Sequence, residues 1–482
     1  MFLISTAHTS SKLVLGGIGE ASQPTKLKQH NIKRKEVSRV KITSSYKMKL
    51  SGDLKALEDS IKIYREALQM LIPIIDSGWK ILNECEFDYQ KVSLVGKWVH
   101  NTKTNQAVYD FDEQFPKLPT YLRISAITKA LGIVSSYRSL LENWKKDPKG
   151  QPPRLNSVHF VCPAYYRHRM FKNFDPVSKT IELKVFKNGD WVFDTYGLKT
   201  SDCTYYQKYL INKKQNVPVI QKKGKRFYAT FSYEEKVDLV PQDSIDKICA
   251  VDLGLNNDAV CSIMGKDGTV YARRFISLSE EHDHLSTQIG RIKRNQKRGS
   301  KHNKTLWRKI AGISQDIADK TAKAILEFGK QNGADVFVLE YLDFKGRNFV
   351  KRAHFWRYKR IFRVLTHKAH QNGLRVARVN ARNTSRLAFD GSGWSKRGRE
   401  VSSKTPHSIM QFTTGKTYNA DLNASYNIGA RYFINQLLKT VTVTQRLTLE
   451  AKVPQVVKRS TCTLSSLINL RNEFTKLVKV QA

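Results

Sequence analysis

Apolar residues change their spacing several times along the chain, and each change marks a new element. From Arg39 to Leu50 the pattern suits a strand, and beyond it Leu54, Leu57, Ile61, Tyr64, Leu68 and Leu71 recur at three and four residues, as an amphipathic helix requires. A second helical block runs from Tyr121 to Lys146 and stops at DPKGQPP, where proline and glycine forbid continuation. Between Leu155 and Leu239 the short runs SVHFVC, TIELKVF, WVFDTYG, VPVIQ and RFYATFSY are separated by turn residues such as Lys187–Asp190, which predicts a meander of strands. The first half is thus a strand-rich module with a helical insertion.

The second half alternates strands with helices. Lys247–Asp252 is an apolar strand, followed by a hairpin whose turn is Gly265–Gly268 and whose return strand is TVYARRF. The spacing then predicts a helical region from about Leu285 to Gln331, a buried strand over Ala334–Leu339, a helix over His354–Gln371 and a short strand over Arg375–Val379. Asp421 opens the last strong helical segment, DLNASYNIGARYFINQLL. Three strands, a helix, a strand, a helix and a strand make an α/β unit on a mixed sheet, so the chain as a whole reads as α+β and multidomain.

Composition narrows the function. The 482 residues leave room for about three domains at roughly 150 residues each, which excludes a peptide hormone or a single small module. Lys and Arg number 83 against 42 Asp and Glu, a net charge of +41, while 40% hydrophobic content is ordinary for a folded protein. So large a cationic excess repels itself in the compact state and calls for a polyanion, nucleic acid first. Six scattered cysteines without a CxxC argue for reduced thiols and a cytoplasmic setting. No apolar run approaches the roughly 18 residues of a membrane span, and the opening segment lacks the charged start of a secretion signal. No membrane partner is expected.

Three carboxylates stand where chemistry could use them: Asp252 ending a strand in VDLGL, Glu340 ending a strand in FVLEYL, and Asp421 opening a helix in ADLNAS. A carboxylate at the end of a core strand is costly unless paired or metal-bound, and three converging ones would bind divalent cations. Two Mg²⁺ ions about 4 Å apart could then activate a water and stabilise the leaving oxygen at a phosphodiester. Taken singly, each acid has a plainer role: Asp252 as a turn residue, Glu340 as a surface residue past a strand, Asp421 as a helix cap. Taken together, in the order strand, strand, helix with a basic helix between, they favour a nuclease. Asp258, Asp335 and Asp343 lie nearby and are read as polar flank residues.

At these residues the sequence resembles the RuvC-type, RNase H-like nuclease of the transposon-associated TnpB proteins, the compact type V CRISPR effectors and the eukaryotic Fanzor proteins. VDLGLN matches the first nuclease motif, ADVFVLEYL the second and NADLNASYNIGAR the third. The resemblance implies Asp252, Glu340 and Asp421 as catalytic and metal-binding acids, two Mg²⁺ ions as cofactor, and a noncoding guide RNA and a double-stranded DNA target as partners. It further implies an organisation: a flexible basic arm over 1–37, a β-barrel-like wedge domain over 38–52 and 151–245, a helical recognition domain over 53–150, the nuclease over 246–383 and 418–440, a zinc-ribbon-like insertion over 384–417, and a basic tail over 441–482. The implied activity is RNA-guided cleavage of DNA beside a short motif, with pairing supplying specificity. Arg291, Lys293, Arg294, Lys297, Arg298, Lys301 and Arg308 fall where the family faces the guide heteroduplex with a basic helix, and few acids interleave them.

One departure stands out. Relatives carry two CxxC pairs in the insertion, whereas here Thr384 and Ser385 precede Ala388, Gly391, Gln411 and Thr414 at the ligand positions. A tetrahedral zinc site needs thiolate or imidazole ligands, so no structural zinc is expected. The loop is instead expected to be held by Phe389, Trp394 and Phe412, with Lys396, Arg397 and Arg399 able to touch phosphates. Tyr165, Tyr166, Tyr205 and Tyr206 are candidates either for base stacking or for strand packing. Rival readings are an RNA-guided binder that silences without cutting, an unguided transposase or resolvase, and a plain RNA-binding scaffold.

Overall fold

The computed structural model describes residues 38–148, 150–155, 158–166, 168–254, 257–300, 302–342 and 352–481. The arm at 1–37, Lys301 and Asp343 lie outside them.

The first half is built on β1 (Arg39–Ser51), after which α1 (Leu54–Ser77), α2 (Trp79–Asn83), α3 (Asp88–Val99), α4 (Phe111–Gln114) and α5 (Thr120–Lys146) form the helical insertion. The chain then returns to the sheet through β2 (Phe171–Asp175), β3 (Thr180–Lys187), β4 (Asp190–Leu198), α6 (Thr200–Tyr209), β5 (Lys214–Gln215), β6 (Val219–Lys223) and β7 (Arg226–Asp238). The seven strands are antiparallel in the order β2-β3-β4-β1-β7-β5, with β6 also on β7. β1 is long enough to serve two partners, pairing Arg39 through Lys49 with β7 and Leu50 and Ser51 with β4. Leu57, Ile61, Leu68 and Leu71 of α1 are fully buried in the same core as Met48 and Leu50 of β1. Of the run SVHFVC, the described residues Val158 to Cys162 form no strand. Its main chain serves loop contacts, Val161 accepting from Arg65 Nε at 2.9 Å, while the unpredicted α6 lies on β1 with Asp202 accepting from Lys49 N at 2.9 Å.

The second half follows the predicted order: β8 (Lys247–Asp252), β9 (Ala259–Gly265), β10 (Val270–Ile276), α7 (Ser279–Lys297), α8 (Lys304–Gln331), β11 (Val336–Tyr341), α9 (Arg352–Gln371) and β12 (Arg375–Asn380). The sheet runs β10-β9-β8-β11-β12, antiparallel on the β9 and β10 side and parallel from β8 through β12. Both faces of β8 and β11 are covered, which is why each reads as an unbroken apolar run. The long helical region predicted from Leu285 is two helices. The chain breaks at Gly299, whose φ of +82° is open to glycine at little cost, and Asn295 Nδ2 reaches Asn303 Oδ1 at 3.0 Å across the turn.

A small antiparallel sheet, β13 (Lys396–Arg397), β14 (Ile409–Gln411) and β15 (Thr417–Asn419), leads into α10 (Ala420–Thr440). α10 lies on one face of the five-stranded sheet, and Gly429 lets it approach closely, since a Cβ there would meet Ala250 Cβ at 3.3 Å and Met264 Sδ at 2.8 Å. α8 and α9 cover the other face. Of the stretch 441–482, read as a basic tail, α11 (Val443–Lys452) and α12 (Leu464–Gln481) are a packed part of the fold and bury Leu449, Leu464, Leu467 and Leu470 in the core shared with α10. All six cysteines are free thiols. Among the described residues no helix is long and apolar enough to cross a membrane.

Candidate active site

Strand periodicity puts two of the acids together. On β8, Ile248 and Ala250 face the α10 core while Cys249 and Val251 face the α8 core, so Asp252 falls on the α10 face. On β11, Val336 and Val338 face α10 and Phe337 and Leu339 face α8, which puts Glu340 on the same side. The strands are parallel with Leu339 opposite Val251, and one further step of that register sets Glu340 beside Asp252. Asp421 arrives from above, in the first turn of α10.

Asp421 is not the cap of that helix. Asn419 is, its Oδ1 accepting from Asp421 N at 3.0 Å and Leu422 N at 2.9 Å. The Asp421 carboxylate is thereby free for other work: it is 8% exposed and accepts from Arg397 Nη2 at 3.0 Å. Arg397, expected as a possible phosphate contact, is held within the site, its Nε donating to His407 O at 2.7 Å. Glu340 is half-buried and accepts a short hydrogen bond from the Thr384 hydroxyl. Gly254 lies over Asp421, where an added Cβ would stand 3.7 Å from Oδ2.

The electrostatics report the convergence. Burial raises the Asp252 carboxyl well above the ordinary carboxylate range, Glu340 and Asp421 raise it further, and Arg397 draws it back. Burial also raises Glu340, opposed by the Thr384 hydroxyl and by Arg431. As the side chains stand, no group of three His, Cys, Asp or Glu among the described residues is drawn tightly enough to hold a metal ion. Arg397 occupies Asp421, and Thr384 occupies Glu340. The donor set itself, Asp252 with Glu340 and Asp421 acting on it, has the hardness and charge that suit Mg²⁺.

A polar ladder on α10 holds the loop that carries Thr384. Asn423 and Asn427, both fully buried, donate through Nδ2 to Thr384 O at 3.1 and 2.9 Å and to Leu387 O at 2.9 and 2.8 Å. Asn423 Oδ1 accepts from Phe389 N and Asn427 Oδ1 from Leu464 N. One turn further, Arg431 donates to the carbonyls of Asn380 and Arg382 on this loop and of Ser460 and Cys462 near the C-terminus. The spacing of four residues along NADLNASYNIGAR is the signal that these side chains share one helix face.

Around Ala388 and Met410, aromatic rings fill the space. Phe389 packs against Phe412, Tyr418 and Tyr426 with ring centroids 5.6, 5.0 and 5.2 Å apart, around the buried Ala388 and Met410. Trp394, expected to share this packing, is instead 56% exposed, with the Arg386 guanidinium over its ring.

The remaining predicted cations are spread over exposed surface. Arg291, Lys293, Arg294, Lys297 and Arg298 line the outer end of α7, Arg308 stands on the first turns of α8, and Arg399 is exposed in the small sheet's loop. Asp258 is taken up by His282, whose Nε2 lies 2.9 Å from Oδ1, and Asp335 by the Asp246 amide at 2.9 Å. Tyr165 is fully buried, whereas Tyr205 is exposed and stacked on Tyr46 at 4.4 Å.

Residues 358–428 match the family model described as the Cas12f1-like TNB domain, and residues 42–187 match the Aq_aa04 family. No curated protein matches the chain. Among solved structures, the chain is 16% identical to one titled a Cas12f1, sgRNA and target DNA complex, with a TM-score of 0.31, covering 80% of this chain and 99% of that one. A CRISPR-Cas12f ternary complex is 15% identical with a TM-score of 0.31, covering 76% and 80%. C2c1 of Alicyclobacillus acidoterrestris with single-guide RNA is 12% identical with a TM-score of 0.41, covering 78% and 69%. With a Cas12f1-like TNB segment running from α9 through the small sheet into α10, the chain resembles the TnpB-like, compact type V effectors.

Proposed function

We propose that this chain is an RNA-guided, metal-dependent DNA endonuclease. It holds a noncoding guide RNA on its basic surface, opens duplex DNA beside a short recognition motif, and cuts phosphodiester bonds at Asp252, Glu340 and Asp421. The observation that carries this reading is the meeting of these acids: two leave adjacent parallel strands on one face, the third lies in the first turn of the covering helix, and both neighbours raise the Asp252 carboxyl. The strand order supports a RuvC-type, RNase H-like unit. The seven-stranded sheet with its helical insertion supports the wedge and recognition modules, and the Cas12f1-like segment supports guidance by RNA.

Asp252, Glu340 and Asp421 would hold Mg²⁺, which supplies an activated water and charge stabilisation at the scissile phosphate. Thr384 fixes the Glu340 carboxylate by its hydroxyl. Arg397 neutralises Asp421, and its planar guanidinium suits a phosphate oxygen of the strand entering the pocket. Exposed cations on α7 and α8 contact nucleic-acid backbone, which positions the heteroduplex while base pairing selects it. The setting is the cytoplasm, where six free thiols stay reduced.

Asp252→Ala tests the assignment. The RNA-loaded variant is expected to lose Mg²⁺-dependent DNA cleavage while binding guide RNA as before. Unchanged cleavage refutes the site. RNA that copurifies should carry a constant folded scaffold ending in a variable segment.

A further inference from the structure

Away from the three acids, β12, α10 and the stretch between α11 and α12 enclose a cavity of about 240 Å³. Its wall carries Arg378, Arg431, Lys439, Arg446 and Arg459, and no carboxylate is among its lining residues; Arg378 lies over the Tyr341 and Phe362 rings. Arg446 donates to Glu450 at 2.7 Å, while Lys439 and Arg459 are exposed and make no ion pair among the described residues.

Arg431 is the unusual member. It is 4% exposed, yet its guanidinium donates only to main-chain carbonyls: Nε to Cys462 at 3.1 Å, Nη1 to Asn380 at 2.6 Å and Arg382 at 2.9 Å, and Nη2 to Ser460 at 3.1 Å. Four of its five N–H groups are used, none of them on a carboxylate, and Glu340 acts on the charge only without a hydrogen bond. Burying this cation is costly and lowers its pKa, an effect that Cys462 and Glu340 offset only in part. An anion seated in the adjoining cavity would offset that cost, and the rim already supplies two cations for it.

We propose that this cavity is a phosphate-binding site for nucleic-acid backbone, built by the C-terminal helices and separate from the cleavage pocket. Arginine and lysine converging without acids are the chemistry that recognises a phosphodiester. A cavity of this size admits a phosphate with its flanking sugar atoms. The proposal rests on nucleic acid being the partner, as read above, but not on cleavage.

The test compares charge reversals in the full-length protein. Arg459→Glu lies on the cavity rim; Lys479→Glu is an exposed site on α12 that does not line it. Binding of a fluorescent single-stranded RNA and of a duplex DNA is titrated over a range of salt. Arg459→Glu is expected to weaken at least one probe about tenfold and to lower the salt slope by about one phosphate, with Lys439→Glu behaving alike and Lys479→Glu changing little. Loss for RNA alone assigns the site to the guide, loss for DNA alone to the target, and loss for both to either backbone. Equal effects of Arg459→Glu and Lys479→Glu, or no effect of either rim variant, overturn the site. Because the readout is binding, a failure of Asp252→Ala to abolish cleavage would leave this result standing, and the reverse.

Discussion

Phe389→Ala probes how far ring packing holds the loop. The ring is half-buried and touches Phe412, Tyr418 and Tyr426, while its own amide and carbonyl bond to Asn423 Oδ1 at 2.8 Å and Ser465 N at 2.9 Å. Truncating a buried Phe costs about 3–5 kcal/mol, and partial exposure sets this site at the low end, about 3 kcal/mol. The main-chain bonds survive the change, so the loss is local to the segment from Thr384 to Asn419. In a multidomain chain a single melting temperature would blur it. Amide hydrogen exchange resolved by segment is the better assay, and about 3 kcal/mol corresponds to exchange faster by about two orders of magnitude in that segment. β1 to β7 serve as the internal control. Acceleration of less than about tenfold would refute the claim that ring packing holds the loop.

Two further outcomes follow from the acids. In chelator, the Asp252 carboxyl is raised by burial and by its two neighbours, so the folded state binds this proton more tightly than the unfolded state. Its contribution to stability is full below the ordinary value of 3.8 and is lost as pH rises through the raised folded value. Asp252→Asn should therefore flatten the fall in stability from acid toward neutral pH, and an unchanged slope in thermal melts would contradict the proposed crowding. Thr384→Val keeps the shape of a buried side chain but removes the hydroxyl on Glu340. The Mg²⁺ concentration for half-maximal cleavage should rise about tenfold and return with Thr384→Ser; identical behaviour of the two variants would sink the assignment.

The sheet of the second half was legible because β8 and β11 are covered on both faces, which leaves continuous apolar runs ending in Asp252 and Glu340. What could not be read depended on partners remote in the chain. Arg397 looks like a surface cation until its guanidinium is found on Asp421, and Trp394 looks like core until Phe412 and Tyr418 take the space. The break at Gly299 hides among lysines that continue a helix as readily as they end one. α6 escaped notice because only Cys203 of its residues is buried, too little to set a period. In α11 and α12 the cations distracted from Leu464, Leu467 and Leu470, whose spacing of three already marked a packed helix.

Asn423 and Asn427 grip Thr384 and Leu387 by their carbonyl oxygens, which every amino acid carries. Such a grip does not depend on which side chains Thr384 and Leu387 carry, whereas the ring of Phe389 supplies packing for the rest of the segment. The path of the loop is thus tied to one face of α10, and a change at Asn423 or Asn427 would reach Thr384, the partner of Glu340, through the main chain alone.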